Sequence, residues 1–207
     1  MEIKSASFVT SLANYSEEPP ISLPQLAVVG KSNVGKSSLI NTLCNRKKLC
    51  KISGTPGKTR LINVFLINEV FHLIDLPGYG FAKVDKKEKE RWGKMMDRYF
   101  QESTHLVHAL QLVDIRHEPT ADDEVMGNYF REMGIPYTVV ATKADKISRG
   151  ARSKQLAPIC RALLVQPWDV LPFSSEDGTG RDELLQKIEQ IMAPSLSRGD
   201  GCDTINP

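Results

Sequence analysis

Gly30, Gly35, Lys36 and Ser37 stand in the order G-x-x-x-x-G-K-S across Gly30-Lys31-Ser32-Asn33-Val34-Gly35-Lys36-Ser37, a spacing suited to holding a polyphosphate. Glycines let the backbone turn tightly and bring its N–H groups to an anion at a helix amino terminus, where the dipole also favours negative charge. Lys36 adds a mobile positive charge for the outer phosphates, and the Ser37 hydroxyl can join the shell of a Mg²⁺ ion. An apolar run, Leu26–Val29, precedes the pattern and a helical stretch follows it. That context separates a phosphate loop from an ordinary glycine-rich turn.

Downstream, Leu73-Ile74-Asp75-Leu76-Pro77-Gly78 releases a carboxylate from the end of an apolar run. Asp75 is placed to complete a Mg²⁺ environment, usually through a water, and the N–H of Gly78 can sense a γ-phosphate. The next residue is Tyr79, where Ras-like enzymes carry a water-orienting glutamine, so slow intrinsic hydrolysis is expected, with acceleration from a partner or a monovalent cation. Between the phosphate loop and Asp75 lies Ser53-Gly54-Thr55-Pro56-Gly57-Lys58-Thr59-Arg60, rich in turn formers. A threonine there could reach the metal only when the third phosphate is present. Thr59 is chosen over Thr55 because it adjoins the following strand and sits close behind a glycine.

A further run ends in Thr142-Lys143-Ala144-Asp145. The Asp145 carboxylate, an acceptor only, can take two hydrogen bonds from the N1–H and N2–H₂ edge of guanine, whereas adenine offers an acceptor at N1 and no amino group at C2. The motif therefore selects GTP over ATP. Lys143 would lay its stem along the purine and Thr142 would brace the loop. Phe173-Ser174-Ser175-Glu176 follows the last apolar run, where a backbone N–H could reach the guanine carbonyl.

These groups need a scaffold that brings strand ends together. Six apolar runs, Leu26–Val29, Leu61–Ile67, Phe71–Ile74, Val107–Val113, Tyr137–Ala141 and Val170–Phe173, alternate with helical stretches near 36–46, 86–102, 121–133, 151–165 and 180–192. The alternation predicts an α/β domain: a three-layer P-loop NTPase sandwich with a mostly parallel six-stranded sheet, one antiparallel edge hairpin turning at Asn68–Glu69, and helices on both faces. Thr179 and Asp182 approximate a capping box for the last helix, which Pro194 would end. Residues 1–24 read as an amino-terminal arm packing on the domain, 25–193 as the domain, and 194–207 as a disordered tail.

With 207 residues the chain has room for one domain; 41% apolar and 25% charged residues exclude a wholly disordered chain, and a net charge of +2 gives no general argument for a polyanion partner. Cys44, Cys50, Cys160 and Cys202 show no metal-ligand spacing and read as reduced thiols. No membrane helix or leader is discernible, so a cytoplasmic protein is expected. Among the basic clusters, Arg46-Lys47-Lys48 with Lys51, Lys58 and Arg60 has no acid between its members and is the better candidate for RNA phosphates. The run from Lys83 to Arg98 is interrupted by Asp85, Glu88, Glu90 and Asp97 and reads as a solvated face.

Taken together, G-K-S-N-V-G-K-S, T-P-G-K-T-R-L-I-N-V-F, D-L-P-G-Y-G-F-A, D-I-R-H, T-K-A-D and F-S-S resemble the EngB/YihA/YsxC family of bacterial ribosome-biogenesis GTPases over roughly residues 5 to 193. The resemblance implies nucleotide contacts at Gly30, Lys31, Ser32, Asn33, Val34, Gly35, Lys36 and Ser37, then at Gly57, Lys58, Thr59, Arg60 and Leu61. It continues them at Asp75, Leu76, Pro77 and Gly78, at Thr142, Lys143, Ala144 and Asp145, and at Phe173, Ser174 and Ser175. Mg²⁺ would fall on Ser37 and Thr59, and catalysis would rest on Lys36, Thr59 and Gly78. Asn33 resembles the asparagine with which related GTPases coordinate an activating K⁺. Ser175 and Glu176 replace the Ala and Lys of the commoner S-A-K form, so base contacts there would rest on backbone groups. The resemblance further implies a switch in late assembly of the large ribosomal subunit, linked to septation, with GTP, GDP and a subunit precursor as partners; a monomer is the default. A non-catalytic nucleotide sensor or RNA-binding module is the alternative.

Overall fold

The computed structural model describes residues 1–13, 22–50, 61–80 and 86–196. Its strands are β1 (Ala6–Leu12), β2 (Gln25–Gly30), β3 (Ile62–Ile67), β4 (Phe71–Asp75), β5 (Leu106–Asp114), β6 (Tyr137–Thr142) and β7 (Val170–Pro172). The helices are α1 (Lys36–Leu43), α2 (Lys86–Glu102), α3 (Ala121–Glu132), α4 (Arg149–Leu163) and α5 (Arg181–Leu196), with short 3-10 turns at Ala144–Lys146 and Pro167–Asp169.

The sheet runs in the order β1-β3-β4-β2-β5-β6-β7. Pairing is parallel from β4 through β7 and antiparallel at β1 with β3 and at β3 with β4. All of β2 is buried, as a strand covered on both faces must be. Its side chains alternate between two cores. Leu26 and Val28 join Leu39, Ile40 and Leu43 of α1 and Leu184, Ile188 and Met192 of α5 on one face. Ala27 and Val29 join Met95, Met96, Tyr99 and Phe100 of α2 and Phe130 of α3 on the other. On that second face α4 adds Ile159 and Leu163 against Val139, Ala141 and Val170. Three layers result, with every parallel strand ending at one rim.

Two expectations are corrected. The sheet has seven strands rather than six, because the segment read as an arm supplies β1. The hairpin is therefore not the edge: β3 is covered by β1, whose Ala6–Leu12 pairs along Ile67–Ile62 with a bulge between Phe8 and Thr10. The hairpin turn falls where expected, with Asn68 and Glu69 both at positive φ, 50° and 62°, as a tight two-residue turn requires. Asn68 also ties down the chain before β1, accepting from the Lys4 and Ser5 amides and donating to the Glu2 carbonyl.

At the other end, α5 continues past Pro194 to Leu196, so part of the expected tail is helical; residues 197–207 lie outside the described residues. Its first helical residue is Arg181, with Gly180 before it, so Thr179 and Asp182 do not form the expected capping box. The Thr179 amide instead donates to Asp177. Cys44, Cys50 and Cys160 are unpaired, and burial pushes the Cys44 thiol up to about 11. Among the described residues no helix is long and apolar enough to cross a membrane.

Candidate functional site

The rim formed by the carboxyl ends of β2, β4, β5, β6 and β7 gathers the predicted residues. Gly30 ends β2, and a Cβ there would lie 2.8 Å from Val34 and 2.9 Å from the Leu112 carbonyl oxygen, so only glycine fits the packing of loop on sheet. Gly35 holds φ 114° immediately before Lys36 opens α1, a conformation that L side chains rarely adopt. Asn33 also takes a positive φ, 63°. Lys36 and Ser37 thus lie in the first turn of a half-buried helix, where unpaired backbone N–H groups accumulate.

Asp75 ends β4 beside β2, and Leu76 extends the pairing by donating to the Val28 carbonyl. The Asp75 carboxylate is buried. One oxygen accepts weakly from Asn63 at 3.4 Å, and the other has no hydrogen-bond partner among the described residues. Asn63 is held in turn by Ser11 of β1, at 2.7 Å, so the edge strand steadies the acid. Burial raises the Asp75 pKa, with Lys36 and Asn63 acting against it. An orphaned buried carboxylate oxygen within reach of the Lys36 charge fits a hydrated Mg²⁺, which would satisfy it.

Pro77 and Gly78 follow. A Cβ on Gly78 would approach the Ser32 amide nitrogen at 3.1 Å, so the segment lies directly against the phosphate loop. Tyr79 completes the contact: its amide donates to the Gly30 carbonyl at 3.3 Å and its carbonyl accepts from the Ser32 amide at 3.0 Å.

Around the third cluster, Thr142 ends β6 and donates to the Val34 carbonyl at 2.7 Å and the Val113 carbonyl at 3.0 Å, tying the phosphate loop to β6 and β5. Lys143, at φ 62°, donates to the Asn33 carbonyl at 3.0 Å and pairs with Asp114 at 2.9 Å. Asp114 also takes a two-toothed contact from Arg116, at 2.9 and 2.7 Å. Burial pushes Asp114 up, but the hydrogen bonds from Arg116 and Lys143 outweigh it and hold the carboxylate well below its usual range.

Asp145 stands in the 3-10 turn after Lys143. Ser174 donates to one of its oxygens at 2.8 Å and Lys146 lies 2.9 Å from the other; Lys146 first, then Ser174, lowers its pKa against a burial penalty. Ser174, fully buried, also accepts from the Glu176 and Asp177 amides. Ala144 donates to the Phe173 carbonyl, stitching the two base-end loops together.

Leu61 lies just before β3 and is half-exposed. Gly57, Lys58, Thr59 and Arg60 lie outside the described residues, as do Lys51 and Thr55. Arg46 and Lys47 line a hollow of about 540 Å³ together with Ser38, Ser175 and Arg181, so this part of the basic cluster borders the base-end loop. Sequence reasoning left Asp114, Arg116, Thr120 and Asp123 without roles. For the last two a signal was present, because Thr120-x-x-Asp123 before a helical stretch has the form of a capping box.

A phosphate loop, a buried acid at a strand end and a T-K-x-D turn, in this order on one rim of this sheet, define a P-loop domain of the GTPase class. Residues 25–143 match the family described as 50S ribosome-binding GTPase. A protein of Caldanaerobacter subterraneus subsp. tengcongensis named "Probable GTP-binding protein EngB" is 47% identical over 192 residues, 93% of this chain and 99% of that one. Its counterpart in Clostridioides difficile is 48% identical over 189 residues, covering 91% of this chain and 93% of that one. A solved structure, "Crystal structure of a probable GTP-binding protein engB", superposes with a TM-score of 0.69 over 82% of this chain and 99% of the other; at 24% identity it supports the fold alone. The chain belongs to the EngB family.

Proposed function

We propose that the protein binds GTP and GDP at this rim and hydrolyses GTP to GDP and phosphate, slowly and with Mg²⁺, as a conformational switch in late assembly of the large ribosomal subunit, with a linked role in cell division. The observation that carries the reading is the pairing of the Gly30–Ser37 loop with Asp145, fastened to the same sheet through Thr142 and Ser174.

In this reading the amides of residues 30–37 and the Lys36 ammonium cradle the phosphates. Ser37 and the orphaned Asp75 oxygen would hold Mg²⁺, with Thr59 closing on it when the third phosphate is present. The ion, when bound, would neutralise charge developing on the phosphate oxygens. Gly78 would offer its N–H to the γ-phosphate, and Lys36 would stay with the leaving diphosphate. Asp145 would read the guanine edge, Lys143 would flank the purine, and backbone groups of Phe173–Ser175 would meet the carbonyl. K⁺ near Asn33 would be an activator. The protein would act as a cytoplasmic monomer.

The ribosomal partner draws support from the family description and from the basic residues beside the base-end loop. Replacing Lys47 and Lys48 by alanine should weaken binding to large-subunit particles and lower the slope of log affinity against log salt by about one per lysine, leaving GTP affinity nearly unchanged. An unaltered subunit affinity across the salt titration would remove this surface from the interface. A second reading, a non-catalytic nucleotide sensor, takes its support from Tyr79 in the place of a water-orienting glutamine. Phosphate release measured with and without large-subunit precursors separates the two: turnover supports the switch, and none under either condition supports the sensor.

A further inference from the structure

We propose that Tyr79 is a positioning residue for γ-phosphate sensing: its phenol, bonded to Asp123, clamps the Asp75–Gly78 segment to the amino terminus of α3 and so fixes where the Gly78 N–H lies. This rests on the reading of the rim as a GTP site.

The phenol donates to Asp123 Oδ1 at 2.8 Å. Asp123 is a rigid acceptor. It is buried in the first turn of α3, its other oxygen accepts from both the amide and the hydroxyl of Thr120, at 2.8 and 2.7 Å, and its carbonyl accepts from Gln111 of β5 at 2.7 Å. Hydrogen bonds to a carboxylate are stronger than neutral ones, and the amino-terminal end of a helix favours an acidic side chain. The side chain of Tyr79 is therefore committed to α3.

Its backbone is committed elsewhere. The Tyr79 amide and carbonyl pair with Gly30 and Ser32 of the phosphate loop. Gly78, one residue earlier, has so little room that a Cβ would sit 3.1 Å from Ser32 and 3.3 Å from the Gly30 carbonyl. On the far side, Gly80 turns at φ 71°, where a Cβ would meet Asp122 at 2.9 Å and Lys31 at 3.0 Å. One residue thus joins the phosphate loop, through its main chain, to α3, through its side chain. Slack at the phenol is transmitted to Gly78, whose N–H faces a group that GTP has and GDP lacks. Its loss should be felt by the triphosphate alone.

The test titrates the full chain with GDP and with the non-hydrolysable analogue GMPPNP in Mg²⁺, by calorimetry, for the native protein and for Tyr79→Phe, Asp123→Asn and Thr120→Ala. Tyr79→Phe keeps the ring, which packs beside Met96, Phe100 and Met126, and removes only the hydroxyl. It should weaken GMPPNP about tenfold and leave GDP within twofold, as expected for the loss of one charge-assisted hydrogen bond. Asp123→Asn should lower the same ratio, and it carries the test should Tyr79→Phe fail to fold. Thr120→Ala keeps the backbone amide on Asp123 and removes only the hydroxyl, so it should lower the melting temperature while changing the ratio less than either of the other two variants. A ratio unchanged in both Tyr79→Phe and Asp123→Asn, or equal losses for the two nucleotides, would overturn the clamp. Failure of the native protein to bind either nucleotide would instead overturn the functional reading beneath it.

Discussion

The two ends of the rim are built differently. At the base end the two charged groups of the T-K-x-D turn already have protein partners: Asp145 has Ser174 and Lys146, and Lys143 has Asp114 and the Asn33 carbonyl. At the phosphate end Asp75 is buried with one oxygen unpartnered, and its pKa is raised by that burial. Preformed hydrogen bonds make a base selector that need not rearrange on binding. An unsatisfied carboxylate makes a site whose electrostatics are completed from outside, and whose stability is held in reserve until then. Specificity is stored at one end and charge imbalance at the other.

The largest effect should come from the base end. Asp145→Asn should weaken GDP about 10³-fold, since the amide loses the charged double acceptor while the Ser174 contact keeps the loop in place. The same variant should gain xanthosine diphosphate, whose extra carbonyl the amide can meet. Retained guanine preference in a competition assay would break the comparison at its stronger half.

At the phosphate end the same kind of substitution should act in the opposite sense on folding. Asp75→Asn should slow GTP hydrolysis about 10²-fold. It should also raise the stability of the nucleotide-free protein by about 1 kcal/mol, because an unpaired buried charge is removed. Denaturant unfolding without nucleotide checks this; a loss of stability would show that Asp75 is already satisfied without a ligand.

An effect on stability alone belongs to a group outside both ends. His108 is buried against Thr138, and burial, with Lys187 adding to it, lowers its pKa from 6.5 to about 4. The folded state therefore refuses a proton that the unfolded chain accepts below pH 6.5, and the stability that neutral His108 provides at neutral pH is lost as pH falls toward 4. The share lost by pH 5 is about 2 kcal/mol. His108→Gln should flatten the stability profile across this window and leave nucleotide affinity at neutral pH untouched, which marks both ends of the rim as independent of the core titration.

Much of this arrangement was legible in the residues, because phosphate cradling and guanine reading constrain local spacing: G-x-x-x-x-G-K-S and T-K-A-D keep their chemistry within a few positions. The central strands were legible for a related reason, since burial on both faces leaves continuous apolar runs. β1 was not. Ala6–Leu12 mixes small polar and apolar residues without strict alternation, Phe8 is 53% exposed, and an edge strand needs only one covered flank, so its composition resembles an arm. The link from Ser11 through Asn63 to Asp75 was hidden with it, as it depends on strand register. The Asp114–Lys143 pair and the Tyr79–Asp123 bond join residues 29 and 44 positions apart, and no local pattern reports such a contact. Pro194 misled because a proline removes one donor near a helix end without obliging the last turn to unwind.

The central claim is that Gly30–Ser37 and Asp145 act on one ligand. Its most direct test is a calorimetric titration of the magnesium-loaded protein with GDP, ADP and inorganic pyrophosphate in parallel. The account predicts tight binding of GDP at one site per chain, with ADP at least 10²-fold weaker, near pyrophosphate. Equal affinities for GDP and ADP, or no heat with either, would contradict it.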